Sequence, residues 1–137
     1  MFSTKNREPF LRDLELRSRV HAYLVGTLKG LGCEPIRVGG VADHAHILTG
    51  LGREITIATL VKELKTSSNS LLKRNGQDYF AWQVGYGAFS VSHSARDAVD
   101  EYIRQQESHH RKISFQDEFR QLLARHGIAF DEKYLWS

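Results

Sequence analysis

The sequence predicts an α+β fold in which helices pack on an antiparallel sheet. Stretches with helical spacing of apolar residues are mixed along the chain with shorter stretches of strand-like alternation. Two of the strand-like stretches lie on either side of a short turn, and strands joined in this way pair antiparallel. With 137 residues and no linker-like or repeated segment, the chain is expected to form a single domain over residues 1–137.

The first half of the chain is predicted to form a helix, a hairpin and a second helix. Apolar residues recur at helical spacing over residues 9–31, and Gly32 is a natural stop. Residues 34–51 predict two short strands around a turn. Ile36 and Val38 alternate in the first strand, and Ala45, Ile47 and Leu48 carry the apolar content of the second. Helical spacing returns over residues 57–72.

The second half is predicted to form one strand and two helices. Large apolar residues occupy every second position from Phe80 to Tyr86, and residues 80–91 are rich in aromatic and β-branched side chains. Both features favour a strand. Two Ser-x-x-Asp capping boxes then open the predicted helices, and they are formed by Ser94 with Asp97 and by Ser114 with Asp117. We expect the first helix to reach about Arg111 and the second to end at Gly127. The tail after residue 127 is apolar enough to pack on the body or on a partner.

The composition excludes several classes of protein. Hydrophobic residues make up 41% of the chain and charged residues 26%, which is ordinary for a globular domain. No apolar run is long enough to span a membrane, and the first ten residues lack the apolar core of a signal peptide. The single cysteine, Cys33, fits a reducing compartment, so a cytoplasmic location is expected. A net charge of +3 is compatible with nucleic-acid binding.

His44 and His46 are candidate metal ligands. They are two residues apart on a predicted strand, so both imidazoles project from the same face of the sheet. Two neutral imidazoles on one face can hold a divalent metal if a third ligand comes from elsewhere in the fold. Because His-x-His pairs also arise by chance, two surface histidines are the alternative interpretation.

Tyr102 and Gln106 are candidates for the remaining chemistry. They are four residues apart on a predicted helix and therefore share one face about one turn apart. The amide oxygen of Gln106 is a suitable hard ligand, and a tyrosine oxygen can be a nucleophile near a polarised phosphate. The alternative is that Tyr102 is a core residue and Gln106 a solvated neighbour.

The second predicted helix carries an excess of basic residues that could grip phosphates: Lys62, Lys65, Lys73 and Arg74. The alternative interpretation is a solvated outer helix face. No phosphate-binding glycine loop, serine nucleophile motif or zinc-finger spacing occurs in the sequence.

Four motifs in fixed order resemble one family. They are DHAHIL at 43–48, the lysine-bearing helix with TSSNSLL, WQVGYGAFSVS at 82–92 and EYIRQQESHHRKISFQDEF at 101–119. Together they resemble the small single-tyrosine HUH transposases of the insertion-sequence 200/605 type and their repeat-associated relatives. The resemblance runs from Phe2 to Trp136. It implies a fold similar to ferredoxin or RNA-recognition domains, in agreement with the α+β prediction.

The resemblance also implies roles for individual residues. The family's histidine pair binds Mg²⁺ or Mn²⁺, and it corresponds here to His44 and His46. The nucleophile corresponds to Tyr102 and not to Tyr86, and the third ligand corresponds to Gln106. The family cleaves and rejoins single-stranded DNA beside small hairpins, through a 5′-phosphotyrosine intermediate. Its members are homodimers in which the tyrosine helix of one subunit completes the other's metal site. Lys62 and Lys65 are the better candidates for contacts with the DNA.

Two departures from the family pattern lead to further expectations. The residue between the histidines is Ala45, which is smaller than the usual valine or leucine and could loosen the packing there. Only Met1 precedes the segment FSTKNREPFL, which resembles the end of the family's first strand. We therefore expect the first strand to be shortened at the amino terminus.

Two other functions are compatible with the sequence. The chain could be a non-catalytic or inactivated nucleic-acid-binding module, in which Phe80, Trp82 and Tyr86 would stack on bases. It could instead be a domesticated nuclease that cleaves genomic repeats without moving an element. The active transposase is the prediction that uses all four of His44, His46, Tyr102 and Gln106.

Overall fold

The structure is a computed structural model that describes residues 1–109 and 113–128, and it confirms the predicted α+β class. Two short 3₁₀ turns, over residues 5–7 and 93–95, accompany the regular elements. In chain order these elements are β1 (Phe2–Ser3), α1 (Leu14–Gly30), β2 (Glu34–Gly40), β3 (His44–Gly50), α2 (Ile57–Arg74), α3 (Arg96–Arg104), α4 (Gln106–His109) and α5 (Phe115–Arg125).

The sheet is antiparallel, with the strand order β1-β3-β2. The central strand is therefore β3, which carries both candidate histidines. Ala45 pairs with Phe2 of β1, and His46 pairs with Gly39 of β2. The predicted hairpin thus places the histidines in the middle of the sheet rather than at an edge.

The main core lies between the sheet and the pair α1 and α2. Ala45 is fully buried there among side chains that include Leu24, Leu28, Leu64 and Leu72. Side chains of a strand alternate between faces, so the neighbours of Ala45 point away from this core. The opposite face of the sheet receives the two histidines and is covered by α3 and α4.

Three of the helices begin at side-chain caps, which satisfy backbone N–H groups that have no partner within the helix. Asp13 accepts from the backbone N–H of Leu16 at 3.0 Å, so α1 begins later than the predicted position 9. Thr56 caps α2, and Ser114 caps α5 by accepting from the N–H of Asp117 at 3.2 Å.

The third predicted helix differs from the prediction in two ways. Ser94 lies within the 3₁₀ turn and does not cap the helix, which begins after Ala95. The helix is interrupted at Gln105, so Tyr102 lies in α3 and Gln106 opens α4. The predicted end at Arg111 lies outside the described residues, as does the apolar tail from residue 129.

The strand prediction for residues 80–91 is wrong for this structure. Trp82 forms an isolated bridge with Thr4, and the N–H groups of Gln83 and Gly87 donate to the carbonyl groups of Ser3 and Met1, each at 2.9 Å. The segment therefore lies beside β1, but β1 offers only two ladder residues with which to pair. A ladder needs a partner of matching length, which alternation in one segment cannot reveal.

Within the described part of the chain, no helix is both long enough and apolar enough to cross a membrane.

Candidate metal and tyrosine site

The two histidines of β3 form the base of the site. Strand alternation places both rings on the face away from Ala45, with their centroids 5.3 Å apart. Both side chains are buried: His44 is 0% exposed and His46 6% exposed. The alternative interpretation of the pair as surface histidines is therefore excluded.

Close packing of α3 on β2 brings the tyrosine to these histidines. A Cβ atom at Gly39 would lie only 2.7 Å from Cγ2 of Ile103 and 3.0 Å from its carbonyl oxygen. Only glycine therefore allows this approach without displacing the helix. Arg37 of β2 adds an ion pair with Asp100, in the middle of the same helix, at 2.5 Å. As a result, the ring of Tyr102 lies 5.8 Å from that of His46.

The imidazole of His44 is oriented by a carboxylate. Its Nδ1 atom lies 2.7 Å from Oδ1 of Asp43, so this nitrogen carries the hydrogen and donates it. The Nε2 atom then presents its lone pair to the interior of the site, where it faces Oε1 of Gln106 at 3.1 Å. An acidic partner that fixes the tautomer in this way is typical of metal-ligating histidines.

A residue that the sequence analysis missed completes the site. Glu118 of α5 is 2% exposed, and its Oε1 atom lies 2.9 Å from Nε2 of His46 and 3.8 Å from Nε2 of His44. Its other oxygen, Oε2, accepts from the Tyr102 hydroxyl and lies 3.3 Å from Nε2 of Gln106. Glu118 therefore contacts all four residues proposed from the sequence.

One signal in the sequence could have identified Glu118. The buried face of α5 consists of Phe115, Glu118, Phe119 and Leu123. A glutamate at an apolar position of an amphipathic helix is unusual, because a buried carboxylate needs compensating partners. Its partners come from 12 to 74 positions earlier in the chain, so the pattern indicates a buried site without identifying the partners.

His44, His46 and Glu118 form a group that could hold a metal ion. One ligand atom from each lies within 4.8 Å of the others, and all three side chains are buried. Two imidazole nitrogens and a carboxylate oxygen suit a divalent transition metal, and an amide oxygen suits Mg²⁺ or Mn²⁺ as well. The Oε1 atom of Gln106 faces the same space, so the donor set fits a divalent cation.

Burial sets the protonation states in the site. Desolvation lowers the pKa of His46 to about 4, although Glu118 opposes the shift, so at neutral pH this imidazole is uncharged and able to ligate. Burial and the nearby Glu118 carboxylate raise the pKa of Tyr102. Its phenol is therefore protonated at neutral pH, in agreement with its role as the donor to Glu118.

The site is enclosed by α5. The ring of Phe115 lies 4.8 Å from that of His44, and Phe119 stacks on Phe115 at 5.9 Å. On its far side, Phe119 packs so closely on Gly87 that a Cβ atom there would come within 2.4 Å of its ring. The helix that supplies Glu118 therefore also covers the histidines.

The basic residues of α2 are not part of this site. Lys62, Lys73 and Arg74 are exposed on α2, whose apolar side packs on the opposite face of the sheet. Lys65 differs from them, because its ammonium group donates to the carbonyl groups of Gln83, Val84 and Gly85 at 2.7–3.1 Å. It holds the segment beside β1 in place, which is a structural role.

The aromatic residues proposed as stacking platforms are mostly unavailable for that purpose. Phe80 is 2% exposed and Trp82 9% exposed, and the indole N–H donates to Oγ of Ser68 at 2.9 Å. Both rings belong to the main core, so they cannot stack on bases. Tyr86 is 42% exposed, and the Lys65 ammonium lies 5.9 Å from the centre of its ring.

Comparisons with known proteins give two findings. The sequence model of the family described as IS200-like transposase matches residues 1–106. The crystal structure of a candidate transposase from Deinococcus radiodurans R1 is similar in fold, with a TM-score of 0.58 and 24% sequence identity over 77% of this chain and 85% of that one. No curated protein matches the chain.

Proposed function

The chain belongs to the family of IS200-like transposases, and we propose that it cleaves and rejoins single-stranded DNA with Tyr102 as the nucleophile. The observation that carries the proposal is the convergence, beside one tyrosine hydroxyl, of four side chains that are able to ligate a metal ion. These side chains are His44, His46, Gln106 and Glu118.

The proposed cofactor is Mg²⁺ or Mn²⁺. His44 and His46 would hold it through their Nε2 atoms, with oxygen ligands from Gln106 and Glu118. When bound, a divalent cation supplies positive charge that polarises a phosphate oxygen and favours the tyrosinate over the phenol. Asp43 keeps the Nε2 lone pair of His44 directed at the cation site, by accepting the hydrogen of Nδ1.

In the proposed reaction, the phenol oxygen of Tyr102 attacks the phosphorus of a DNA phosphodiester. A bond from this oxygen to phosphorus forms, and the bond from phosphorus to O3′ breaks. The leaving oxygen takes the electron pair and a proton, while the phenol loses one, so protons balance. The products are a 5′-phosphotyrosine and a free 3′ hydroxyl. A second 3′ hydroxyl can reverse these steps, because the phosphotyrosine bond retains the energy of the phosphodiester.

Access of the DNA phosphate to the histidines requires movement of the side chains that enclose the site. His44 lies under Phe115, so a phosphate reaches the histidines only when the α5 side chains move aside. A flexible single strand can bring one phosphate into such a site more readily than a duplex can. The resting site keeps Tyr102 protonated, which limits its reactivity until metal and DNA are both present.

The proposed partners are single-stranded DNA with hairpin ends and a second copy of the chain, in the cytoplasm of a prokaryotic cell. Exposed Lys62, Lys73 and Arg74 give α2 a basic surface for backbone phosphates. Tyr102 and Gln106 lie beside the histidines of their own chain here, so a homodimer with composite sites would require exchange of α3 and α4.

The test uses single-stranded oligonucleotides copied from the DNA that flanks the gene. We expect Mn²⁺ or Mg²⁺ to produce a shortened strand and a covalent protein–DNA adduct on a denaturing gel, and EDTA to abolish both. Tyr102→Phe should form no adduct, whereas Tyr86→Phe, which alters a tyrosine outside the site, should form as much as the wild type. Adduct formation by Tyr102→Phe would contradict the proposal.

A further inference from the structure

Glu118 contacts both the histidine pair and the Tyr102 hydroxyl. We propose that Glu118 is both a metal ligand, through Oε1, and the positioning residue of the Tyr102 nucleophile, through Oε2. This inference rests on the function proposed above, and it assigns to one carboxylate the task of holding the tyrosine oxygen beside the metal.

The ligand role follows from the surroundings of Oε1. This atom lies 2.9 Å from Nε2 of His46 and 3.8 Å from Nε2 of His44, so the three atoms face one another around a common space. In the neutral tautomer whose Nδ1 donates to Asp43, the Nε2 atom of His44 offers a lone pair. Oε1 and this nitrogen are therefore two electron-rich atoms directed at the same point, which a cation satisfies.

The positioning role follows from the surroundings of Oε2. The Tyr102 hydroxyl donates to this oxygen, and Nε2 of Gln106 lies 3.3 Å from it. Among the described residues, the Gln106 amide nitrogen also lies 3.5 Å from the Tyr102 carbonyl oxygen. These contacts direct the phenol oxygen towards the carboxylate and turn the Gln106 amide so that its Oε1 faces His44.

Burial supports both roles. Glu118 is 2% exposed, and taking an isolated carboxylate out of water is costly unless charge compensates it. Its hydrogen-bond partners in the described structure include a phenol, an amide and an imidazole. A divalent cation at Oε1 would add positive charge directly beside the buried carboxylate.

Glu118→Gln is the informative substitution, because glutamine has the same shape but a single side-chain oxygen. It cannot present an oxygen to the metal space and to Tyr102 at once, so at least one contact is lost without creating a cavity. Asp117→Asn is the matched control, since Asp117 is the neighbouring acid on α5 and is exposed. Equal unfolding temperatures of the two variants will confirm that the fold is retained.

The experiment follows fluorotyrosine in the full chain by fluorine NMR and needs no DNA. The protein contains five tyrosines, and the Tyr102 signal is identified by its loss in Tyr102→Phe. Without metal, we expect Glu118→Gln but not Asp117→Asn to shift this signal. In wild type, Mn²⁺ should broaden the Tyr102 signal selectively, and Glu118→Gln should require at least about tenfold more Mn²⁺ for the same broadening.

The two NMR measurements test the roles of Glu118 independently of whether the protein cleaves DNA. An unchanged Tyr102 signal in metal-free Glu118→Gln would overturn the positioning role, and an unchanged Mn²⁺ requirement would overturn the ligand role. If both effects appear in a protein that cleaves no strand, the inference holds and the proposed reaction fails. If the strand is cleaved normally by Glu118→Gln at low Mn²⁺, the reaction stands and the inference fails.

Discussion

The Nε2 atom of His44 lies 3.1 Å from the Oε1 atom of Gln106, across an interval of 62 residues in the sequence. Asp43 fixes the hydrogen of His44 on the other ring nitrogen, and contacts with Glu118 and the Tyr102 carbonyl fix the Gln106 amide nitrogen on the far side. In the neutral tautomer that donates its Nδ1 hydrogen to Asp43, the Nε2 lone pair of His44 and the Gln106 oxygen face the same point, where both can ligate one cation.

Removal of the His44 imidazole should therefore weaken metal binding without unfolding the protein. We expect His44→Asn to weaken Mn²⁺ binding by about 100-fold, because one of two nitrogen ligands is lost. The measurement is the concentration of free Mn²⁺ by electron paramagnetic resonance during a titration. His93→Asn, which alters an exposed histidine outside the site, should bind as wild type does. Equal affinity in His44→Asn and the wild type would contradict the metal centre.

The contact between Gly39 and Ile103 should be sensitive to a single methyl group. Gly39→Ala brings a Cβ atom into the backbone of α3, so we expect a loss of about 1–3 kcal/mol in the free energy of unfolding. Weaker Mn²⁺ binding should accompany it, because α3 carries Tyr102 and leads into Gln106. Gly26→Ala is the control: it meets nothing within 4 Å in the middle of α1 and should stabilise by about 0.5–1 kcal/mol. Urea unfolding measures both, and a stabilised Gly39→Ala would refute the argument.

Substitution of Lys65 should lower the stability of the fold, whereas substitution of Lys62 should affect DNA binding alone. Lys65→Met removes three hydrogen bonds from a half-buried ammonium, whose pKa is lowered by that burial, and should cost about 2 kcal/mol of unfolding free energy. Lys62→Met should leave stability unchanged to within about 0.5 kcal/mol.

The same pair of variants is then compared for DNA affinity as a function of salt. Lys62→Met should weaken single-strand binding and reduce the slope of log affinity against log salt by about 0.7. If Lys62→Met changes neither quantity, α2 is not the DNA-binding surface.

His21 should make stability depend on pH. Burial, with a smaller effect of Arg17, lowers its pKa from 6.5 to about 4, and its Nε2 atom has no hydrogen-bond partner among the described residues. The unfolded state therefore takes up a proton near pH 6.5 that the folded state resists until about pH 4. Stability present above pH 6.5 should fall as the pH is lowered towards 4. His46 acts in the same direction.

The variant His21→Leu isolates the contribution of this residue. Between pH 7 and pH 4, it should lose about 1–3 kcal/mol less unfolding free energy than the wild type. Urea unfolding at a series of pH values measures the difference. A pH dependence that is identical in wild type and variant would show that His21 does not resist protonation in the fold.

Local patterns predicted most of the elements, whereas the roles of the four candidate site residues came from the family resemblance. The alternation that places His44 and His46 on one face is a property of consecutive strand residues and is retained in the fold. The helix expected to carry both Tyr102 and Gln106 is interrupted at Gln105, although both side chains contact Glu118. Phe80 and Trp82 show the limit of such patterns. Their alternation indicated a strand, but whether a strand forms depends on a partner, and β1 offers only two residues.

Glu118 could not be predicted as a member of the site for a related reason. Its partner His46 lies 72 residues away and belongs to a strand rather than a helix. Only the packing of α5 over the sheet brings the two together. The same packing buries His44 under Phe115, which no spacing rule indicates.

The identity of the nucleophile is the central claim, and peptide mapping of the covalent protein–DNA adduct tests it most directly. The wild-type protein is incubated with Mn²⁺ and a cleavable single-stranded oligonucleotide, digested with protease and nuclease, and analysed by mass spectrometry. We predict a single modified peptide that carries a 5′-linked nucleotide on Tyr102. Modification of Tyr86 or of any residue other than Tyr102 would contradict the account.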